Sequence, residues 1–86
     1  MSLGFPNQSR SFDGHRVRFW GHDGALEISF YLDESAIFKL YPLTQNVEAA
    51  ILSAFDAARE RIHAVADKLY SPKPRKSFYV LAAADF

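Results

Sequence analysis

The chain has 86 residues, the size of one domain, and 49% of them are hydrophobic and 15% aromatic. It has no cysteine, which excludes disulfides, zinc–thiolate sites and thiol catalysis, and its ten basic residues balance ten acidic ones, which excludes a strong long-range field for nucleic acid. No run approaches the roughly 20 apolar residues of a membrane span, and residues 1–10 lack the basic-then-apolar pattern of a signal peptide, so a cytoplasmic chain with no membrane partner is expected.

A fold of this size buries only about 60% of the surface its unfolded chain exposes. One domain over residues 1–86 must therefore build its core efficiently or share it with a second copy. Eight Phe, four Tyr and one Trp suit either solution, because each aromatic side chain buries a large area.

Asp13-Gly14 and Asp23-Gly24 are hairpin signals, since both residue types tolerate positive φ. They divide residues 10–12, 15–20 and 25–32 into a three-stranded meander with a short first strand. Alternation places Val17, Phe19, Leu26, Ile28, Phe30 and Leu32 on the core face. Arg16, Arg18, Trp20, Glu27, Ser29 and Tyr31 fall on the other.

Asp33 is a helix cap, with Glu34 favoured by the dipole of the first turn; the short helix passes Ile37 and Leu40 and stops before Pro42. A long helix over 46–69 follows. Its stripe is Val47, Ile51, Phe55, Ala58, Ile62, Val65 and Leu69, with Ala50, Ala54 and Ala66 alongside to permit close approach. Pro72 and Pro74 end it. Residues 76–82 return as a final strand, with Phe78 and Val80 alternating against Tyr79 and Leu81. The expectation is an α+β, two-layer domain: an antiparallel four-stranded sheet, the meander plus the C-terminal strand, covered by one long and one short helix. The apolar end, residues 81–86, is expected to dock its terminal Phe86 against the domain.

Chemistry-bearing patterns are sparse. His22 and Asp23 belong to a hairpin tip, and His63 and Asp67 are spaced to pair on a helix surface. No HxH, HExxH or paired-carboxylate spacing occurs, no serine lies in a GxSxG or SxxK setting, and the glycines form no phosphate-cradling loop. No catalytic residue, metal ligand or cofactor site is expected.

The second sheet face is the better lead. Arg16, Arg18, Trp20 and Tyr31 would stand together there, joined by Tyr79 if the final strand turns Phe78 rather than Tyr79 toward the helix, a combination on which bases stack while guanidinium groups meet phosphates. The plainer alternative pairs Arg16 and Arg18 with Glu27 and covers the rings with another subunit. Lys68, Lys73, Arg75 and Lys76 form the one basic cluster, straddling the Pro-broken connection: a solvated linker, or a phosphate-contacting loop.

Phe5-Pro6-Asn7, Ser9-Arg10-Ser11-Phe12-Asp13, Val17-Arg18-Phe19-Trp20-Gly21, the Ala-rich helix through Phe55-Asp56-Ala57-Ala58-Arg59, and the ending from Ser77-Phe78-Tyr79-Val80-Leu81 to Asp85-Phe86 carry a resemblance. The chain resembles a family of short bacterial proteins, domain-of-unknown-function family 1488. The resemblance spans nearly the whole chain and implies a stand-alone α+β domain of the bacterial cytoplasm. It carries no catalytic residue, cofactor or partner with it. The leading expectation is a non-enzymatic binding or adaptor domain that self-associates as a homodimer. A nucleic-acid-binding regulator using the open face and basic loop is the alternative, and a small enzyme without a recognisable motif is the third.

Overall fold

The computed structural model describes residues 3–71 and 76–86. Strands β1 (Ser11–Phe12), β2 (Arg16–Asp23) and β3 (Leu26–Asp33) lead into helices α1 (Glu34–Leu40), α2 (Glu48–Ala57) and α3 (Arg59–Leu69). Strand β4 (Phe78–Leu81) and a 3₁₀ turn (Ala83–Asp85) complete the chain. The sheet order is β1-β2-β3-β4.

The meander forms for the reasons its turns suggest. Gly14 and Gly24 adopt φ of 102° and 62°, which a side chain would strain. Asp13 accepts from the backbone N–H of Arg16 at 2.7 Å and of His15 at 2.9 Å, closing the first turn. Those bonds hold its carboxyl below the usual carboxylate range.

The sheet is mixed rather than wholly antiparallel. β1, β2 and β3 alternate in direction, but β4 runs parallel to β3, with Ser29 opposite Phe78 and Leu32 opposite Leu81. Residues 34–77 form the connection, and they return the chain to the end of the sheet where β3 begins. A crossover through helices makes a parallel pair, where a short turn would make a hairpin.

The long helix is two helices. Ala58 leaves helical geometry at φ −100° and ψ 10°, and its N–H is shared between the carbonyls of Ala54 and Phe55. Such sharing is the tightened geometry of a helix end. The apolar stripe crosses the break but shifts. Ile51, Phe55, Ala58, Ile62, Ala66 and Tyr70 are buried, whereas Val47 and Leu69 are exposed. After Ala58 the inward step is four residues each time, so Ala66 takes the place that the regular alternation assigns to Val65 and Leu69.

These helices pack on one face of the sheet. Val17, Phe19, Ile28, Phe30 and Leu32 meet Ile37, Ile51, Phe55 and Ile62 in one core. Phe19 and Phe30 stack with centroids 5.3 Å apart, and Phe55 tilts against Phe19 at 5.4 Å. Asp33 caps α1 by accepting from the N–H of Ser35. Phe86 packs against the core edge, as expected of a docked terminus.

The N-terminal segment straps across the end of this core. Gly4 exchanges both backbone hydrogen bonds with His22, and Leu3 N–H donates to Asp67 at 2.7 Å. Phe5 lies over Gly21, where a Cβ would come within 2.9 Å of its ring. Asp67 and His63 therefore do not pair with each other. The carboxylate serves the strap, and the imidazole stacks on Phe5.

Candidate interaction face

Among the described residues no helix covers the sheet's other face, and strand parity decides what stands on it. One cross-strand row runs Ser11, Arg18, Tyr31 and Val80, and the next runs Trp20, Ser29 and Phe78. Arg18, Phe78 and Val80 are exposed; Arg16, Trp20, Ser29 and Tyr31 are half-buried.

Four of the five residues read as an interaction face are therefore brought together. Tyr79 is the exception. It is buried in the core, stacked on Phe30 at 5.5 Å, with its hydroxyl donating to the carbonyl of Ser71 at 2.8 Å. The parallel register turns Tyr79 and Leu81 inward and Phe78 and Val80 outward. Sequence reasoning omitted Phe78 and Val80. The signal available was parity with Leu81, but an alternating strand with apolar residues on both sides does not say which parity is core.

The arginines stack rather than pair. Arg16 lies with its guanidinium carbon 4.8 Å from the Tyr31 ring centroid, and Arg18 lies 5.0 Å from Trp20 and 5.7 Å from Tyr31. Arg18 also donates to the Ser29 hydroxyl at 3.2 Å. The alternative pairing with Glu27 does not form among the described residues. Glu27 is at the far end of β3, 3.5 Å from His22 Nε2 and accepting from Asn7. Among the described residues, neither Arg16 nor Arg18 has a carboxylate within ion-pair range. Cation–π contact holds the two guanidinium groups over the rings, and the Asp13 carboxylate in the adjacent turn offsets part of the Arg16 charge without forming an ion pair with it.

Phe78 closes the cluster on the other side, edge-on to Tyr31 at 5.5 Å and 88°. The face thus has a cationic half on β2 and an apolar half on β4, with Tyr31 between them. Of the basic cluster, Lys68 is on α3 in the helical layer, and Lys76, just before β4, has its ammonium 5.5 Å from the Tyr79 ring. Lys73 and Arg75 lie outside the described residues.

The model of a family described as a protein of unknown function (DUF1488) matches residues 3–81. The chain belongs to the DUF1488 family. No curated protein and no solved structure matches it. The span that makes this a DUF1488 chain runs from the Leu3 strap to the last residue of β4, so it includes every residue of the face.

Elsewhere on this DUF1488 chain, chemistry-bearing side chains are dispersed. Among the described residues no three His, Asp or Glu side chains gather as metal ligands, and no helix is long and apolar enough to cross a membrane. Two hollows lie on the helical side, and a third, of about 530 Å³, borders β4 between Leu69, Lys76, Phe78, Val80 and Asp85. One of about 650 Å³ is lined by Asp56, Arg59, Glu60 and Arg61. A second, of about 580 Å³, is an open groove between Leu40–Gln45 residues and Ala50, Ala54 and Ala57 of α2. In the first, Asp56 is engaged by Arg10 and Arg59, and the Arg10 hydrogen bonds hold its carboxyl below the usual range.

Proposed function

We propose that this protein is a non-enzymatic binding domain that self-associates through the β4 half of the open sheet face. The observation that supports it is the exposure of Phe78 (48%) and Val80 (40%) beside Tyr31, on the side of the sheet away from the described helices. Contiguous exposed apolar surface of this kind marks association sites in small soluble domains. A small core adds a motive, since a second copy covers what one chain lacks the residues to cover.

The geometry suits a two-fold interface, in which the same patch meets itself. With β4 of each copy near the axis, Phe78 and Val80 occupy the dry centre, and Arg16 and Arg18 lie toward the rim. The opposite placement would bury four guanidinium groups with no carboxylates, which is costly. A stable interface needs roughly 800 Å² from each partner. The chain exposes 5120 Å², so about a sixth of its surface would be used.

Sedimentation velocity over a range of concentrations tests this reading. The wild type is expected to pass from monomer to dimer, and Phe78→Lys to remain monomeric with an unchanged far-UV circular dichroism spectrum. A wild type that stays monomeric at the highest concentration refutes it.

A further inference from the structure

We infer that the β2 half of the open face binds single-stranded nucleic acid, with Arg16 and Arg18 on phosphates and Trp20 and Tyr31 as stacking surfaces. The inference shares with the proposed function the premise that the open face is the binding surface, but it uses the other half and does not require the dimer.

Charge carries the first step. Two guanidinium groups stand on one strand face with no carboxylate in ion-pair range among the described residues, so the surface is complementary to an anion. Residues i and i+2 of a strand are roughly 7 Å apart, a separation that two successive phosphates of an extended strand match. Asp33, opposite Arg16 in the register, is committed to capping α1; Asp13, whose charge reaches Arg16, is committed to the backbone of the first turn; and Glu27 lies at the far end beside His22. The cationic stretch is therefore short and bounded, fitting a few nucleotides and not a long duplex.

The rings carry the second step. An acidic peptide would satisfy the arginines but leave the flat aromatic surface unused. Bases stack on aromatic rings and equally on guanidinium planes, so the layers that Arg16 and Arg18 form over Tyr31 and Trp20 widen the platform. A net charge of zero means weak general attraction, so binding depends on these local contacts and is expected only at low ionic strength.

Trp20 is the chain's single tryptophan, and it stands in the site, so its fluorescence reports occupancy directly. Short mixed-sequence single-stranded DNA and RNA are titrated at low and then rising salt, with polyglutamate as the rival anion. Stacking predicts quenching, and two phosphate contacts predict a log–log salt slope of about −1.4. Arg16→Gln and Arg18→Gln should each remove about half of that slope, and Tyr31→Ala should weaken binding about tenfold. Phe78→Lys, which breaks the dimer and adds a cation beside Tyr31, should still quench, with a salt slope no shallower than the wild type's, so loss of the dimer alone does not remove binding. No quenching at low salt overturns it, as does quenching untouched by both arginine substitutions. Equal, salt-sensitive quenching by polyglutamate also overturns it, in favour of an acidic protein partner.

Discussion

The Phe5 ring lies flat on the imidazole of His63, with centroids 3.9 Å apart and planes within 6° of parallel. Phe19 approaches the same imidazole at 5.9 Å, so a half-buried histidine on α3 is enclosed by rings from the strap and the sheet. Desolvation there, reinforced by the nearby Arg59 guanidinium, lowers its pKa from 6.5 to about 4.

The consequence is a pH-dependent stability of definite sign. Between pH 6.5 and about 4 the unfolded chain holds the proton that the folded chain refuses. Stability is therefore full above pH 6.5 and falls as pH drops through that window. His63 is partly open to solvent, so the full conversion of the shift is discounted for screening, to a loss of about 1–2 kcal/mol. Urea midpoints at pH 7.5 and 4.5 measure it. His63→Gln should flatten the difference by that amount, and the part that remains belongs to the carboxylates.

Gly21 is the strap's other contact. A Cβ there would sit 2.9 Å from Phe5, closer than carbon atoms tolerate, and 3.1 Å from Phe30, which would have to give by a few tenths of an ångström. The Phe30 ring is fully buried and has nowhere to move. Gly21→Ala is expected to cost about 1–3 kcal/mol as overpacking. Adding Phe5→Leu should recover part of the loss, because it removes the nearer clash. Chemical denaturation of the two variants checks this, and equal losses would show that Phe30 alone resists.

The parts of the fold written in local chemistry were legible. Asp-Gly turns, strand alternation and the Asp33 cap follow from neighbours in sequence, and they placed Arg16, Arg18, Trp20 and Tyr31 on one face. What depended on distant partners was not legible. The parity of β4 is decided by pairing with β3 after a long helical crossover, so Tyr79 and Phe78 exchange roles. The break at Ala58 has no glycine or proline to announce it, and the apolar period runs through it. The strap hid for a related reason: Gly21 looks like a turn residue until Phe5 is seen to need its missing side chain.

Asp56 ties that strap-side chain to the helices, accepting two hydrogen bonds from Arg10 at 2.9 Å and another from Arg59. Arg10 and Asp56 remain partly open to solvent while Arg59 is mostly covered, so the Arg10–Asp56 pairing is a surface one despite its bidentate geometry. Asp56→Asn is expected to cost about 0.5–1 kcal/mol at neutral pH. Its carboxyl pKa is held down in the fold, so the wild type's advantage should fade as pH falls through the carboxylate range. Denaturation of both proteins at pH 7 and pH 3 measures the convergence; a gap that persists at pH 3 would assign the loss to packing.

The division of the sheet into a core face and an open face is itself open to test by comparing two aromatics. Phe55 is fully buried against Phe19, and Ile62 is equally enclosed one helix later. Phe55→Ala and Ile62→Ala should each cost about 2–5 kcal/mol, the transfer loss plus the cavity left behind. Trp20 is only half-buried and rests on Arg18 rather than on the core, so Trp20→Ala has little cavity to create. It should cost clearly less than either core truncation, measured on the monomer so that lost association does not enter the difference. A Trp20→Ala protein as unstable as Phe55→Ala would mean that the β2 face is structural, with its rings held for packing and not for a ligand.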